Sequence, residues 1–187
     1  IWVTGVQTCA LPIYDTKSVA VVNQNHAAAA GLTASVKLYN IDGTEKFSQS
    51  AAVTVPGDGG KATALTIPAV SGLSATYLAK LVLTDSSGTE VSRNVYWLST
   101  KADTLDWNKS DWYYTPTTSY ADLTGLSSLA QAPVTASAST TAAGDTTTTT
   151  VTLKNTGTAK TPAFYLDAHI VGAAGKPVLP VQWRMHY

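Results

Sequence analysis

Aromatic rings, carboxylates and imidazoles are the side chains of this sequence with types suited to chemistry, and the rings are concentrated. Asn94 to Leu126, NVYWLSTKADTLDWNKSDWYYTPTTSYADLTGL, holds three of the five tryptophans and four of the nine tyrosines. Trp107, Trp112, Tyr113 and Tyr114 offer flat apolar faces with polar tips, the kind of surface on which a saccharide ring stacks. Large rings equally dominate interfaces, and filling the space between two domains, or packing onto a third, is the preferred account of these four. No catalytic constellation is completed around them.

The carboxylates carry less. Asp103, Asp106 and Asp111 supply oxygen ligands at short spacing, but the pattern fits no EF-hand loop, having no glycine at the sixth position and no glutamate at the twelfth. Solvated turn or capping residues is the reading they support. His26 and His169 stand unpaired, and no grouping of His, Cys and Asp at ligand spacing supplies a metal site. There is no G-x-S-x-G elbow for acyl transfer and no glycine-rich phosphate loop. The sequence calls for no cofactor. A single cysteine, Cys9, precludes an intrachain disulfide and a cysteine-based metal site. Asn108-Lys109-Ser110 is a glycosylation sequon, a pattern that arises often by chance.

Composition excludes other classes. With 12 basic and 12 acidic residues in 187, the formal net charge is zero, which leaves no basic footprint for nucleic acid and no charged tail for an anionic membrane surface. Hydrophobic residues make up 44%, but in stretches of a few residues, far short of the roughly 18 a bilayer span needs. Charged residues are only 13%, and Ser and Thr take the solvent-facing role, a usage that suits exposed strand faces.

The elements that would position the aromatic stretch are β-strands. Ser18–Asn23 is an apolar strand, and in Thr33–Tyr39 residues Ala34, Val36 and Leu38 share one face while Ser35 and Lys37 share the other. Asn40-Ile41-Asp42-Gly43 turns the chain into Glu45–Ser50, because Asn, Asp and Gly tolerate left-handed backbone. Ala51–Val55 and Ala62–Ile67 follow, separated by Pro56-Gly57-Asp58-Gly59-Gly60. Thr76–Thr84 and Glu90–Ser99 form a hairpin through Asp85-Ser86-Ser87-Gly88. About seven short strands at this spacing predict an immunoglobulin-like sandwich over residues 14–100. Residues 101–129 are polar and aromatic without alternation. A flexible spacer would be rich in Gly and Ser, so this stretch is expected to be an ordered strap that packs.

From Ala130 a second sandwich is expected. Val134–Thr140 and Thr146–Asn155 form a hairpin through Ala142-Ala143-Gly144-Asp145, with Val151 and Leu153 on the face of Thr147 and Thr149. Ala163–Ile170 alternates Phe164, Leu166, Ala168 and Ile170 inward against Tyr165, Asp167 and His169. Gly172–Pro177 is a turn and Val178–Trp183 a strand. The fold class is therefore all-β, two tandem immunoglobulin-like β-sandwiches. The 58 residues from Ala130 to Tyr187 fall well below the roughly 100 of such a domain, so the second is expected to be truncated, and Arg184-Met185-His186-Tyr187 to be foreign. At the other end, Val3 to Ile13, VTGVQTCALPI, resembles a translated sequencing adapter along all eleven positions, so residues 1–13 are expected to be non-native and Cys9 and Trp2 to carry no function. A signal peptide does not fit, for want of a basic n-region and an apolar run.

NVYWLSTKADTLDW, SDWYYTPTTSYADLTGL, PAFYLDAHIV and GKPVLPVQW, in this order and spacing, resemble the C-terminal half of bacterial exo-β-D-glucosaminidases of glycoside hydrolase family 2, and also the β-mannosidases of that family. The resemblance covers Tyr14 to Trp183 and departs at Arg184, where the family places a Ser or Asp-Asn turn. It implies a secreted bacterial parent enzyme that removes terminal glucosamine from chitosan oligosaccharides with retention, using two glutamates on a (β/α)8 barrel. It further implies that this chain holds the last two immunoglobulin-like domains and that the barrel is its missing partner. Glu45 and Glu90, the only glutamates, sit beside hairpin turns and match no catalytic motif of the family, so no catalytic residue is carried over and the fragment is expected to hydrolyse nothing. The alternatives are a stand-alone carbohydrate-binding module, with the strap rings as its chitosan platform, and a cell-surface adhesion protein of tandem sandwiches.

Overall fold

Ala34, Val36 and Leu38 are buried while Ser35 and Lys37 face away from them, so the period-2 stripe becomes the inner face of a sheet. The computed structural model describes residues 6–7, 16–157, 161–163 and 169–178. They belong to two units, Ile1–Leu129 and Ala130–Tyr187. The first unit contains β1 (Val6–Gln7), β2 (Ser18–Asn23), β3 (Ala29–Asn40), β4 (Glu45–Val55), β5 (Gly60–Thr66), β6 (Thr76–Thr84) and β7 (Glu90–Ser99). They form two antiparallel sheets, β1-β2-β5 and β4-β3-β6-β7.

One half of the core gathers Val19, Val36, Leu38, Leu65, Tyr77, Ala79 and Leu81, with Phe47, Tyr96 and Leu98 packed against them. The other gathers Val21, Leu32, Ala34, Val53, Val55 and Leu83. Each fully buried aliphatic side chain contributes about 1.5–3 kcal/mol. The β-branched strands predicted at Ser18–Asn23, Thr76–Thr84 and Glu90–Ser99 have the observed limits. Two others differ. Ala51–Val55 is no separate strand, because β4 runs unbroken from Glu45 while β3 pairs along it, Ala34 opposite Ala51 and Leu32 opposite Val53. β3 itself begins at Ala29, earlier than Thr33, and its register shifts between Ala29 and Leu32, where Gly31 takes φ +69°. Pairing with the apolar end of β4 thus overrides the weak strand propensity of Ala-Ala-Gly.

The hairpin turns form as their residues predict. Asn40 N–H donates to the Thr44 carbonyl at 2.9 Å and Gly43 adopts φ +81°. At the β6–β7 turn, Asp85 Oδ1 accepts from the Ser87 N–H at 2.8 Å, the Ser87 hydroxyl at 2.6 Å and the Thr89 N–H at 3.0 Å. The Ser87 hydroxyl, and then the Thr89 N–H, hold the Asp85 carboxyl below its ordinary pKa. A depressed carboxylate contributes stability that is fully present above its unfolded value, near 3.9, and is lost as pH falls through the lower folded value. Acidification is therefore expected to release the Ser87 and Thr89 amides to hydrogen exchange, and Asp85→Asn to abolish that pH dependence. An Asp85 carboxyl titrating by NMR at or above the ordinary value would contradict this.

In the second unit β10 (Val134–Ala143) and β11 (Thr146–Asn155) pair from Val134 opposite Asn155 to Ala143 opposite Thr146. Ala142 and Ala143, expected in the turn, extend the strand, and the reversal is made by Gly144, at φ +58°, and Asp145 alone. Two-residue loops suit the twist of antiparallel strands. The hydroxyls of Thr140 and Thr149 meet across the ladder at 3.0 Å. In the expected turn at Gly172–Pro177, Gly172 N–H donates to the Lys176 carbonyl at 2.9 Å, and Val171 bridges Pro177. Residues 164–168 of the strand expected at Ala163–Ile170, and everything after Val178 in the last strand and closing tetrapeptide, lie outside the described residues. So does the adapter-like stretch apart from Val6–Gln7. Among the described residues there is no α-helix, and none long and apolar enough to cross a membrane.

Candidate functional site

The aromatic strap leaves β7 at Ser99 and returns to the same residue. The Ser99 hydroxyl accepts from the N–H of Lys101 and from that of Asp122, both at 3.0 Å. Thr76, at the adjoining end of β6, donates its hydroxyl to the Asp122 carbonyl at 2.9 Å. A short 3-10 turn, Thr124–Ser128, then comes so close that a Cβ on Gly125 would stand 2.9 Å from Thr76 Oγ1. Both ends of the strap are thereby fastened to one end of the β6–β7 hairpin. The Thr124 hydroxyl and N–H hold the Asp122 carboxyl below its ordinary pKa. Ser99 and Thr76 were not legible as clasps, since in a chain so rich in Ser and Thr neither residue type signals anything by itself.

Between these ends the strap folds on itself. β8 (Thr104–Leu105) pairs with β9 (Thr117–Ser119), Asp106 N–H donates to the Pro116 carbonyl at 2.8 Å, and Trp107–Lys109 makes a second 3-10 turn. Of the three aspartates only Asp111 serves a local turn; Asp106 makes no side-chain cap and Asp103 ties together distant parts of the strap. Asp103 Oδ1 accepts from Ala121 N–H at 2.7 Å. Asp106 pairs with Lys109 at 3.1 Å. Asp111 Oδ1 accepts from the N–H groups of Tyr113 at 3.0 Å and Tyr114 at 2.8 Å. Side-chain oxygens of this kind satisfy backbone donors that no regular ladder reaches.

Order in the strap therefore comes from its polar groups, and its rings turn outward. Trp107 is 71% exposed, Trp112 92%, Tyr113 73% and Tyr114 57%. Within this chain the Asp, Ser and Thr bonds fix the strap's backbone without ring burial. Trp112 and Tyr113 contact one another edge to face, with centroids 4.9 Å apart and planes at 60°. The structure brings these two together, while Trp107 stands on its own 3-10 turn.

Glu45 and Glu90 do not form a hydrolytic pair. Glu45 opens β4 opposite Tyr39 and is bound by Lys37 at 3.0 Å; Glu90 opens β7 opposite Thr84 and is bound by Arg93. Tyr39 pairs with Leu78 and Thr33 with Thr84, so the two glutamates occupy opposite ends of the sheet, separated by roughly 20 Å of strand. Retaining glycoside hydrolysis needs about 5–5.5 Å. No group of three or more His, Cys, Asp or Glu converges among the described residues. His26 is not unpaired: its Nδ1 lies 2.7 Å from Asp58 Oδ1, on a loop 32 residues further along. Folding of the β2–β3 and β4–β5 loops against each other creates that pair, which sequence spacing hides. It is fully exposed and so adds little stability.

Comparison with known proteins places both units. A sequence-family model described as "Mannosidase Ig/CBM-like domain" matches residues 15–101, and one described as "Exo-beta-D-glucosaminidase Ig-fold domain" matches residues 112–187, beginning within the strap. An exo-β-D-glucosaminidase of Streptomyces avermitilis is 64% identical over 173 residues, covering 91% of this chain and 19% of its own length. One of Arthroderma benhamiae is 36% identical over 181 residues, covering 94% and 20%. The solved exo-chitosanase CsxA of Amycolatopsis orientalis, in complex with PNP-β-D-glucosamine, superposes with a TM-score of 0.85 at 61% identity, covering 94% of this chain and 20% of that one. The chain thus spans about a fifth of the length of the relatives it matches.

Proposed function

Because this chain belongs, through its immunoglobulin-fold domains, to the exo-β-D-glucosaminidase family, we propose that it is the non-catalytic accessory region of a secreted enzyme of that type. The parent removes terminal glucosamine from chitosan oligosaccharides by retaining hydrolysis, and its glutamate pair stands on a (β/α)8 barrel elsewhere in the polypeptide. The observation that carries this reading is 64% identity over 91% of the chain against only 19% of the relative. The test is a chimera in which this chain replaces the matching segment of the Streptomyces avermitilis protein, assayed for glucosamine release. The chimera is expected to be active, and deletion of residues 101–129 to lower activity and thermal stability together. An unchanged enzyme after that deletion would overturn the accessory role.

A second reading takes the strap as a saccharide platform, and the outward stance of Trp107, Trp112, Tyr113 and Tyr114 favours it. Exposed rings offer stacking faces to pyranose rings without further rearrangement. In that case the chain by itself is retained on chitosan, and replacing the four rings by alanine releases it. A chain that never binds chitosan serves only to hold the barrel.

A further inference from the structure

The outer face of the sheet β4-β3-β6-β7 is unusual for a solvated sheet face. Its rows across β3, β6 and β7 read Tyr39, Leu78, Trp97; then Lys37, Lys80, Val95; then Ser35, Val82, Arg93. Antiparallel sandwiches ordinarily place polar residues outward, yet this face carries Leu78, Val82, Val95 and Trp97. Leu78 is largely covered by its neighbours, while Val95 and Trp97 are 47% and 48% exposed. The charges are also incompletely matched. Lys37 has Glu45 and Arg93 has Glu90, whereas Lys80, between two cations, has no hydrogen bond or ion pair among the described residues. Arg93 Nε is buried without an acceptor among them. Burial, and then the adjacent Arg93, push the Lys80 ammonium below its ordinary pKa against a smaller opposing pull from Glu90, as expected of a partly desolvated cation beside like charges.

We infer that this face docks against the remaining length of the same polypeptide, on a surface that sets a carboxylate over Lys80 and apolar atoms over Leu78, Val95 and Trp97. The inference rests on the reading of the chain as part of a longer glycosidase. Relatives run to about five times its length, so most of the surface available to cover this face belongs to the rest of the polypeptide. Its composition, a tryptophan and aliphatics beside an arginine and a central lysine, is closer to the middle of an interface than to its rim. A cationic amino sugar would meet Lys37, Lys80 and Arg93 as like charges, which argues against it as the occupant.

Hydroxyl-radical footprinting of Trp97 tests this, comparing the 187-residue chain alone with the full-length Streptomyces avermitilis chimera, both normalised to an added radical dosimeter. Trp97 is expected to be oxidised several-fold more slowly in the chimera. Lys80→Glu should return the rate towards that of the chain alone, Lys80→Arg should keep the protection, and Lys80→Met should lose part of it with unchanged melting of the chain. Equal oxidation of Trp97 in chain and chimera overturns the docking face. Protection of the chain alone that rises with its own concentration, or on addition of chitosan oligosaccharide, overturns it as well, by assigning the face to a second copy or to a sugar. A chimera that releases glucosamine while Trp97 stays unprotected sinks the docking face and leaves the glycosidase reading standing; an inactive chimera with Trp97 protected does the reverse.

Discussion

Leu83→Ala is expected to lower the stability of the first sandwich by about 3 kcal/mol, within the roughly 2–5 kcal/mol span of buried leucine truncations. Leu83 is 0% exposed on a central strand, β6, opposite Ala34, and packs with Val21, Leu32, Val53 and Val55. Ala34 is already small and the flanking valines are held in rigid strands, so the vacated volume has little to collapse into. For a domain of this size each kcal/mol shifts Tm by about 4–8 °C, and the melting point should fall by roughly 10–25 °C. Val91→Ala, on a partly exposed site of β7, is the control and should stay within about 0.5 kcal/mol of the parent. A Leu83→Ala protein that melts with the control would mean that this half of the core does not hold the sandwich together.

Gly57→Ala is expected to cost as much or more, by a different route. A Cβ at Gly57 would stand 2.0 Å from the carbonyl oxygen of His26 and 2.6 Å from its carbon, and both are backbone atoms with no rotamer to change. The β2–β3 and β4–β5 loops meet here. Asp58 N–H donates to Asn25 O at 2.8 Å and Gly59 N–H to Asn23 O at 2.9 Å. Asn23, buried, donates from its amide to Ala27 O at 2.8 Å and accepts from Asn25 N–H at 3.1 Å. Forcing the loops apart leaves several of these groups without partners, at about 1–3 kcal/mol for each buried one. Gly88→Ala isolates the conformational component, since Gly88 has φ +82° but nothing near its missing Cβ, and should cost about 1–2 kcal/mol. Urea denaturation of the two variants checks this; equal midpoints would show that the loops separate at no cost.

Strands and turns were legible because they obey local rules. Period-2 alternation marked Ala34, Val36 and Leu38 for the core, and Asn-x-Asp-Gly and Asp-Ser-Ser-Gly carried the residues their turns require. Local rules failed where pairing extended an element. β3 reaches back to Ala29, and β4 crosses Ala51 without a break, because a partner strand supplied hydrogen bonds that the sequence itself does not favour. In the strap, residue types alone did not show which atoms fix the backbone. Asp111 and Ser99 hold it by hydrogen bonds, and the rings are exposed on this chain.

By itself the sequence determined an all-β chain of two immunoglobulin-like domains, the family they belong to, and the absence of a matched glutamate pair from its motifs, since these depend on residue type, period and order along the chain. Tertiary structure alone decided that Glu45 and Glu90 lie at opposite ends of one sheet, that His26 meets Asp58, that the rings of Trp107 and Trp112 face outward, and that Lys80 sits between two cations beside Trp97. Each of these is a relation between residues far apart in sequence, fixed by strand register and loop closure, and no local pattern encodes the distance between them.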